Sequence, residues 1–270
     1  MKRTQLTIMA AMAAVLLPMP SMAQSRPTLH VNPKWKQCSI QLDPSLTQPA
    51  WRQFTQEAGQ VVYFRPLADA RPMGRGKFEF SLMQYQTNID DNTSAWNDTF
   101  VHPYATHWLY EGSGLKFPGL AFRAGITSKT DLGLYFTKNV QANYGAYGLQ
   151  LQQNLVRGAA RDWDVAARAS FSSLFGPHDV DLNVYGLDLV TNWKQWRYGQ
   201  GRVTLMPYAV LSTYLATSHA KSAVVNLADE RVGSSMATLG AQLQFSVVRL
   251  AAEASAGKVP SFGLKLGIGH

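Results

Sequence analysis

Residues 120–137, LAFRAGITSKTDLGLYFT, contain two runs in which every second residue is apolar. Leu120, Phe122 and Ala124 mark the first run, and the second run repeats the pattern after a short break. Successive side chains of a β-strand point to opposite faces of a sheet, so each run predicts a strand with one apolar and one polar face. The break at 128–130 is short and polar, which is typical of a tight turn. We therefore interpret these residues as a β-hairpin.

The same two-residue period recurs throughout 77–270. In one run the parity of the apolar positions changes at Tyr185 and Gly186, which we interpret as a β-bulge. Runs of this length match strands that cross a bilayer at a tilt. An even number of strands places the first and the last residue of the barrel on the same side of the membrane. The ten runs predict strands at 78–83, 120–127, 132–137, 147–154, 163–172, 180–189, 203–212, 237–243, 248–255 and 262–269.

The composition of the two strand faces separates a membrane barrel from a soluble one. The polar face is mainly Gly, Ser, Thr, Gln, Asn and Tyr, whereas the apolar face is almost uninterrupted Leu, Val, Ile, Phe and Ala. Charged residues make up 16% of the chain, against roughly 25% in typical soluble proteins. We therefore predict an all-β fold, namely a transmembrane, antiparallel, up-and-down β-barrel of about ten strands, with eight or twelve as the alternatives.

Connections and aromatic residues support this topology. Short connections alternate with longer ones, of which 90–117 is the longest, and in such barrels short turns are periplasmic and long loops external. Aromatic residues near strand ends predict interfacial girdles, with core aromatics of a soluble β protein as the alternative. They are Trp163, Trp193, Trp196 and Tyr198 toward one rim, and Phe117, Tyr144 and Phe175 toward the other.

The first 23 residues predict export. Lys2 and Arg3 precede an apolar stretch at 6–17 that is too short to span a bilayer and is followed by small residues. Removal of Lys2 and Arg3 lowers the formal net charge from +8 to +6, and in an exported protein the remaining charge is better matched to lipid head groups or other anionic envelope polymers than to nucleic acid. We divide the chain into a signal peptide (1–23), an N-terminal periplasmic arm (24–76) and a β-barrel in the outer membrane (77–270).

One short helix is predicted in the arm, which is otherwise rich in proline. Thr47 can cap its N-terminus, Trp51, Phe54 and Ala58 share one face, and Gly59 can end it. Such a helix could lie inside the barrel mouth or on the surface of a loose arm. The single cysteine of the chain also falls in the arm, and this excludes an intramolecular disulfide.

Charged residues at inward positions of the strands predict a polar lumen. Because buried charges require partners, one interpretation is a barrel closed by ion pairs. The other is a charge-lined path for small solutes, since rings of charge set selectivity and ten strands lie between filled barrels and open porins. By parity the lumen-lining residues are Glu79, Arg123, Arg168, Asp181, Asp188, Arg249, Glu253 and Lys265.

Signals for chemistry are weak. Acidic residues and histidines in 90–117 are suitable ligands for a metal, but their spacing matches no ligand motif and a polar surface loop explains them. His178 and Asp179 lie near Ser172 and Ser173, as a hydrolase at the rim would require, but the segment also has the composition of a turn. We therefore predict no catalytic residue, no bound metal and no cofactor.

The last strand, PSFGLKLGIGH at 260–270, resembles the assembly signal of bacterial outer-membrane β-barrel proteins. That signal has apolar residues at every second position before a terminal aromatic residue, and here His270 stands where most members have Phe. The segments 64–76 and 142–145 are similar to parts of small uncharacterised barrel families. The resemblance implies outer-membrane lipid, the barrel-assembly machinery and periplasmic chaperones as partners. The apolar positions of the signal are Phe262, Leu264, Leu266 and Ile268.

The function expected from the sequence is a structural or narrow-pore role without catalysis. Three alternatives stay open. They are a passive, porin-like channel for small solutes, a surface protein that interacts through 90–117, and a hydrolase at the rim.

Overall fold

A computed structural model of the protein describes residues 39–65, 67–90, 93–101, 110–111, 114–138, 143–157, 163–193, 195–200 and 202–270. The predicted signal peptide and the first part of the arm, including Cys38, lie outside the described residues. In chain order the elements are β1 (Ser39–Ile40), α1 (Gln48–Val62), β2 (Phe78–Thr87), α2 (Ser94–Asn97), β3 (Phe100–Val101), β4 (Tyr110–Glu111), β5 (Gly114–Gly125), β6 (Thr130–Lys138), β7 (Gly145–Arg157), β8 (Asp164–Phe175), β9 (Val180–Asn192), β10 (Trp196–Tyr198), β11 (Val203–Ala220), β12 (Glu230–Phe245), β13 (Val248–Ala256) and β14 (Ser261–Gly269).

Ten long strands form one closed antiparallel barrel. They follow the order β2-β5-β6-β7-β8-β9-β11-β12-β13-β14, and β14 pairs with β2 to close the ring. The short strands β4 and β10 add to the edges of β5 and β11, while β1 pairs with β3 in a separate two-stranded sheet. The predicted ten-stranded up-and-down barrel is confirmed.

The two ends of the barrel differ in their connections. Strands β5–β6 and β12–β13 are joined at one end, called here the turn side, where β2 also begins and β14 ends. The longer connections from β2 to β5 and from β11 to β12 start and finish at the opposite end, called here the loop side. At the turn side the backbone of Phe78 exchanges two hydrogen bonds with that of His270, at 3.0 and 3.1 Å, which secures the closing strand pair.

Side chains alternate between the two faces of the barrel wall, and those on the outer face are mainly apolar. On β2, Phe80 is 60% exposed on the outside, while the adjacent Glu79 is 2% exposed on the inside. On β14, Leu266 and Lys265 repeat this contrast. The outward residues of the ten strands thus form an apolar belt around the barrel. Among the described residues no helix has the length and apolar character needed to cross a membrane.

Strand β9 corrects two predictions. Its pairing with β8 and β11 runs without interruption through Tyr185 and Gly186, so the predicted bulge is absent from this strand. Val180 and Leu182 instead face inward, because the loop-side half of the interior is apolar. Asp181 consequently points outward, where its carboxylate accepts a bond from Lys221 Nζ at 2.7 Å. The register shift lies in β7, between Asn154 and Val156.

The aromatic residues at the turn side are distributed as the girdle interpretation requires, whereas one of those assigned to the loop side is not, and the side chain of Phe117 lies outside the described part of the structure. The four turn-side aromatics are between 37% and 43% exposed. On the loop side, Tyr144 is only 2% exposed and packs in the interior, so its assignment to the outer rim is wrong. Phe175 stacks with Phe136 at 5.6 Å between ring centroids.

Helix α1 lies inside the barrel. It begins with Thr47 at the N-cap position, as predicted, but continues through Gly59 to Val62. A Cβ atom on Gly59 would lie 2.5 Å from Cβ of Ala216 in the wall, so this glycine allows the helix to approach the wall and does not end it. The described part of the arm thus occupies the lumen, and not a position outside the barrel.

Candidate functional site

The lumen is filled by the N-terminal arm from the loop side to the turn side. Residues 40–65 and 67–76, called here the plug, enter beside the loop-side connections, form α1 and then continue in extended conformation to the start of β2. In the loop-side half, the plug packs an apolar face. Trp51 stacks on Phe54 at 5.4 Å between ring centroids, and Phe54 meets Trp96 edge-on at 5.2 Å. All three side chains are at most 2% exposed.

Hydrogen bonds fix the loop-side entrance of the plug. The Ile40 amide donates to Asn143 Oδ1 at 3.0 Å, and Asn143 Nδ2 donates to the Ile40 carbonyl oxygen at 3.3 Å. The Leu42 amide donates to the Asp179 carboxylate at 3.1 Å. Glu230, which is nearly buried, accepts from the side chain of Arg52 at 2.9 Å.

Polar residues on α1 are paired with the surrounding structure. Trp96 Nε1 donates to the buried Glu57 carboxylate at 2.6 Å. Gln60 makes two hydrogen bonds with the backbone of Val259, in the β13–β14 connection. The hydroxyl groups of Thr55 and Ser218 lie 2.5 Å apart, which joins the helix to β11.

Glycines in the wall receive the aromatic residues that follow α1. A Cβ atom on Gly186 would overlap with the Tyr63 ring, and one on Gly148 would lie 3.3 Å from the Phe64 ring. Tyr63 also donates a hydrogen bond to Asp188 at 2.5 Å. These close approaches indicate that the wall is shaped for the plug, because any larger inward side chain would collide with it.

The extended part of the plug makes its backbone hydrogen bonds with side chains of the wall. The Ala70 amide donates to Asn192 Oδ1 at 3.2 Å, and its carbonyl oxygen accepts from Gln152 and Asn154 at 3.1 and 3.2 Å. The Met73 amide donates to both oxygens of Asp131 at 3.0 Å. Buried backbone groups outside a sheet need such partners, so these polar wall residues complete the plug.

Two arginines of the wall, the buried Arg168 and the partly buried Arg123, also hold the plug. Arg168 donates from Nε to Gln152 at 2.7 Å and bonds to the carbonyl oxygens of Ala68 and Asp69. Arg123 forms an ion pair with Asp131 and donates to the Arg71 carbonyl oxygen at 2.9 Å.

A carboxylate on β2 organises the charges at the turn side. Glu79 accepts from Lys265 Nζ at 2.7 Å and from Arg249 at 2.8 Å, and Ser81 donates to it at 2.8 Å. Arg249 also reaches the sulfur of Met73 in the plug at 3.0 Å. Each charge in this cluster has an opposite partner, as burial requires.

The structure therefore places seven of the predicted lumen residues inside the barrel and one outside it. Asp181 is the exception, while Glu253 accepts a hydrogen bond from Tyr208 at 3.0 Å within the lumen. Asp131 is also a lumen residue but was not predicted, although its parity with Gly133 identifies it. Arg65 and Asp69 were not predicted either, because they lie in the arm, where no period gives the direction of a side chain.

The residues considered for a hydrolase at the rim either bond to other groups or differ in the direction that they face. Asp179 holds the plug entrance, and Ser173 donates to the carbonyl oxygen of its neighbour Leu174. His178 is exposed, whereas Ser172 is 1% exposed and faces the interior. Within the described ranges no group of three or more metal-ligating side chains is assembled, and 91–92, 102–109 and 112–113 of the predicted loop lie outside those ranges.

A closed barrel with an apolar belt outside and paired charges inside is the arrangement that a bilayer requires of spanning strands. The protein has the fold of a transmembrane β-barrel. No protein-family model matches the sequence, and no curated protein matches it significantly.

Solved structures of bacterial outer-membrane barrels are similar to the chain at low identity. The beta domain of the Bordetella autotransporter BrkA is 12% identical, covers 72% of this chain and 99% of that chain, and gives a TM-score of 0.38. LpxR from Salmonella typhimurium is 8% identical, with 72% of this chain and 99% of that chain covered and a TM-score of 0.36. Ail from Yersinia pestis is 14% identical, with 73% of this chain and 99% of that chain covered and a TM-score of 0.29. No activity follows from similarity at these values.

Proposed function

We propose that the protein is a closed, self-plugged barrel with a structural role in the outer membrane, and not a constitutive channel or an enzyme. One observation carries the proposal. Charged side chains of the lumen bond to the plug or to each other, as Arg168, Asp131 and Glu79 do. An open channel would instead leave such groups facing water.

The cost of removing the plug supports a closed resting state. Each buried hydrogen-bonding group left without a partner costs about 1–3 kcal/mol. Withdrawal would break the bonds to Ala70 and Met73 together, and it would also expose the Trp51 and Phe54 side chains. Small solutes are therefore not expected to cross the barrel at rest.

The orientation is part of this proposal. Short turns of such barrels typically face the periplasm and long loops the exterior, so we assign the turn side to the periplasm. The predicted assembly signal fits this direction, because its four apolar residues point outward on β14 and His270 lies at the turn side. Insertion by the barrel-assembly machinery, after delivery by periplasmic chaperones, remains an inference from the resemblance of that strand.

Conductance in a planar bilayer tests the proposal. The mature protein should insert and remain silent, whereas a variant lacking 24–74 should conduct in ion-selective steps. Folding of both proteins is checked by their heat-dependent migration on gels. If the deletion variant does not fold, the double substitution Trp51→Ala/Phe54→Ala, which loosens the plug, should give transient openings. Steady conductance by the unaltered protein would contradict the proposal.

A further inference from the structure

A polar cavity of about 680 Å³ opens at the turn side of the barrel. Three arginines line it: Arg71 comes from the plug, whereas Arg197 and Arg202 come from the connection between β9 and β11. Thr204 and Gln244, on the adjacent strands, complete its polar lining. The cavity therefore brings together positive charge from the plug and from the wall.

Acidic side chains balance only part of this charge. Arg71 forms an ion pair with Asp69, using Nε and one terminal nitrogen at 3.1 and 3.0 Å, which leaves the opposite edge of its guanidinium available. Arg197 donates to the neutral Gln195 at 3.2 Å. Within the described part of the chain, neither Arg197 nor Arg202 forms an ion pair with a carboxylate.

Aromatic residues beside the cavity indicate that it lies near the membrane interface. Trp193 and Trp196 are 43% and 38% exposed on the same connection, and such half-exposed aromatic residues mark the membrane interface. Phe245, which also lines the cavity, is 53% exposed. A ligand here can thus combine an anionic group in the cavity with an apolar portion along the barrel wall.

We propose that this cavity binds a phosphate group, presented either by an anionic phospholipid or as free phosphate. Guanidinium groups bond to phosphate oxygens through two parallel N–H groups, and three of them around one cavity provide more donors than one phosphate needs. Basic pockets at a membrane interface are also suited to lipid head groups. The bound group would contact Arg71 and the wall arginines together, and so tie the end of the plug to the barrel.

Thermal unfolding of the full-length mature protein in a zwitterionic detergent tests the proposal. One arm adds inorganic phosphate at constant ionic strength, with chloride as its reference. The other adds short-chain phosphatidylglycerol, with phosphatidylcholine of the same chain length as its reference. A ligand that binds the folded state raises the unfolding midpoint in a saturable way, so each arm yields an apparent dissociation constant.

The variant Arg197→Gln/Arg202→Gln removes two cavity charges from the surface connection. Its matched control, Arg75→Gln/Lys129→Gln, removes two exposed charges from the same side of the barrel but outside the cavity. We expect the cavity variant to bind about tenfold more weakly or worse, and the control to bind as the unaltered protein does.

The two arms distinguish the sources of the phosphate. A saturable rise with inorganic phosphate supports a site for the free anion, whereas a rise with phosphatidylglycerol alone supports a head-group site. The proposal is overturned if neither ligand exceeds its reference, or if the cavity variant and the control respond equally. Loss of binding in a correctly folded Arg71→Gln protein would further show that the plug contributes to the site.

Discussion

The two halves of the lumen are filled by one continuous arm in different ways. In the loop-side half, the Trp51 and Phe54 side chains of α1 pack among apolar residues of the wall. In the turn-side half, an extended segment is held by arginines, amides and carboxylates, with Glu79 between Lys265 and Arg249. Replacing one apolar side chain in a packed core by another generally costs less stability than removing the partner of a buried charge. The loop-side half should therefore supply bulk stability, and the turn-side half should define the position of the plug.

The largest effect is expected from Glu79→Gln, which keeps the shape of the side chain but leaves Lys265 and Arg249 without a balancing charge. Breaking a buried ion pair on one side costs about 3–5 kcal/mol. The measurement is the free energy of unfolding by urea in lipid vesicles.

Two further variants turn this into a test of the comparison. Phe54→Leu in the loop-side half should cost about 1.5 kcal/mol or less, since it exchanges one apolar side chain for another. Asp181→Asn removes an exposed ion pair with Lys221 and should cost below about 1 kcal/mol. If Glu79→Gln proves no more costly than these two changes, loss of a partner in the turn-side ion cluster is not costlier than a change of shape in the apolar half, and the comparison fails.

A smaller effect is expected where the two halves meet, at Gly186. An added methyl group would overlap with the Tyr63 ring, and overpacking of this kind costs about 1–3 kcal/mol. Gly233→Ala is the matched control, because no atom lies within 4 Å of its added Cβ, and this change should be neutral or slightly stabilising. Replacing Tyr63 by Leu should recover part of the loss in Gly186→Ala, so the two costs should not add. Additive costs would mean that the ring does not occupy this groove.

The same division explains what could be predicted from the sequence. The barrel follows from strand periodicity, and parity also locates Glu79, Arg168 and Lys265 inside the barrel. Parity predicts the wrong direction for side chains in the first half of β9. Leu182 and Val184 are buried against the apolar part of the plug, so the apolar face of the strand points into the lumen there and not toward lipid. In a barrel with an apolar filling, hydrophobicity alone cannot distinguish inside from outside.

The path of the arm was beyond the reach of sequence analysis for a different reason. The helix is visible in its spacing, but the extended segment has no period, and its partners are distant in the chain. Ala70, for example, bonds to Asn154 and to Asn192, which lie 84 and 122 residues away. Such contacts exist only once the barrel has closed around the segment.

The last prediction concerns the direction of the plug, and its substitutions should leave the stability of the protein unchanged. Ser45 is exposed at the loop-side entrance of the plug, and Ser128 is exposed in the turn between β5 and β6. Each is replaced by Cys in a protein that carries Cys38→Ser, and intact cells are treated with a maleimide that does not cross membranes. With the loop side outward, Ser45→Cys should be labelled, and Ser128→Cys should react only after the outer membrane is opened. Labelling of Ser128→Cys alone would reverse the orientation. If both positions react only in opened cells, the arm does not pass through the barrel to the outer surface, because an arm that begins in the periplasm would place Ser45 on the same side as the turns.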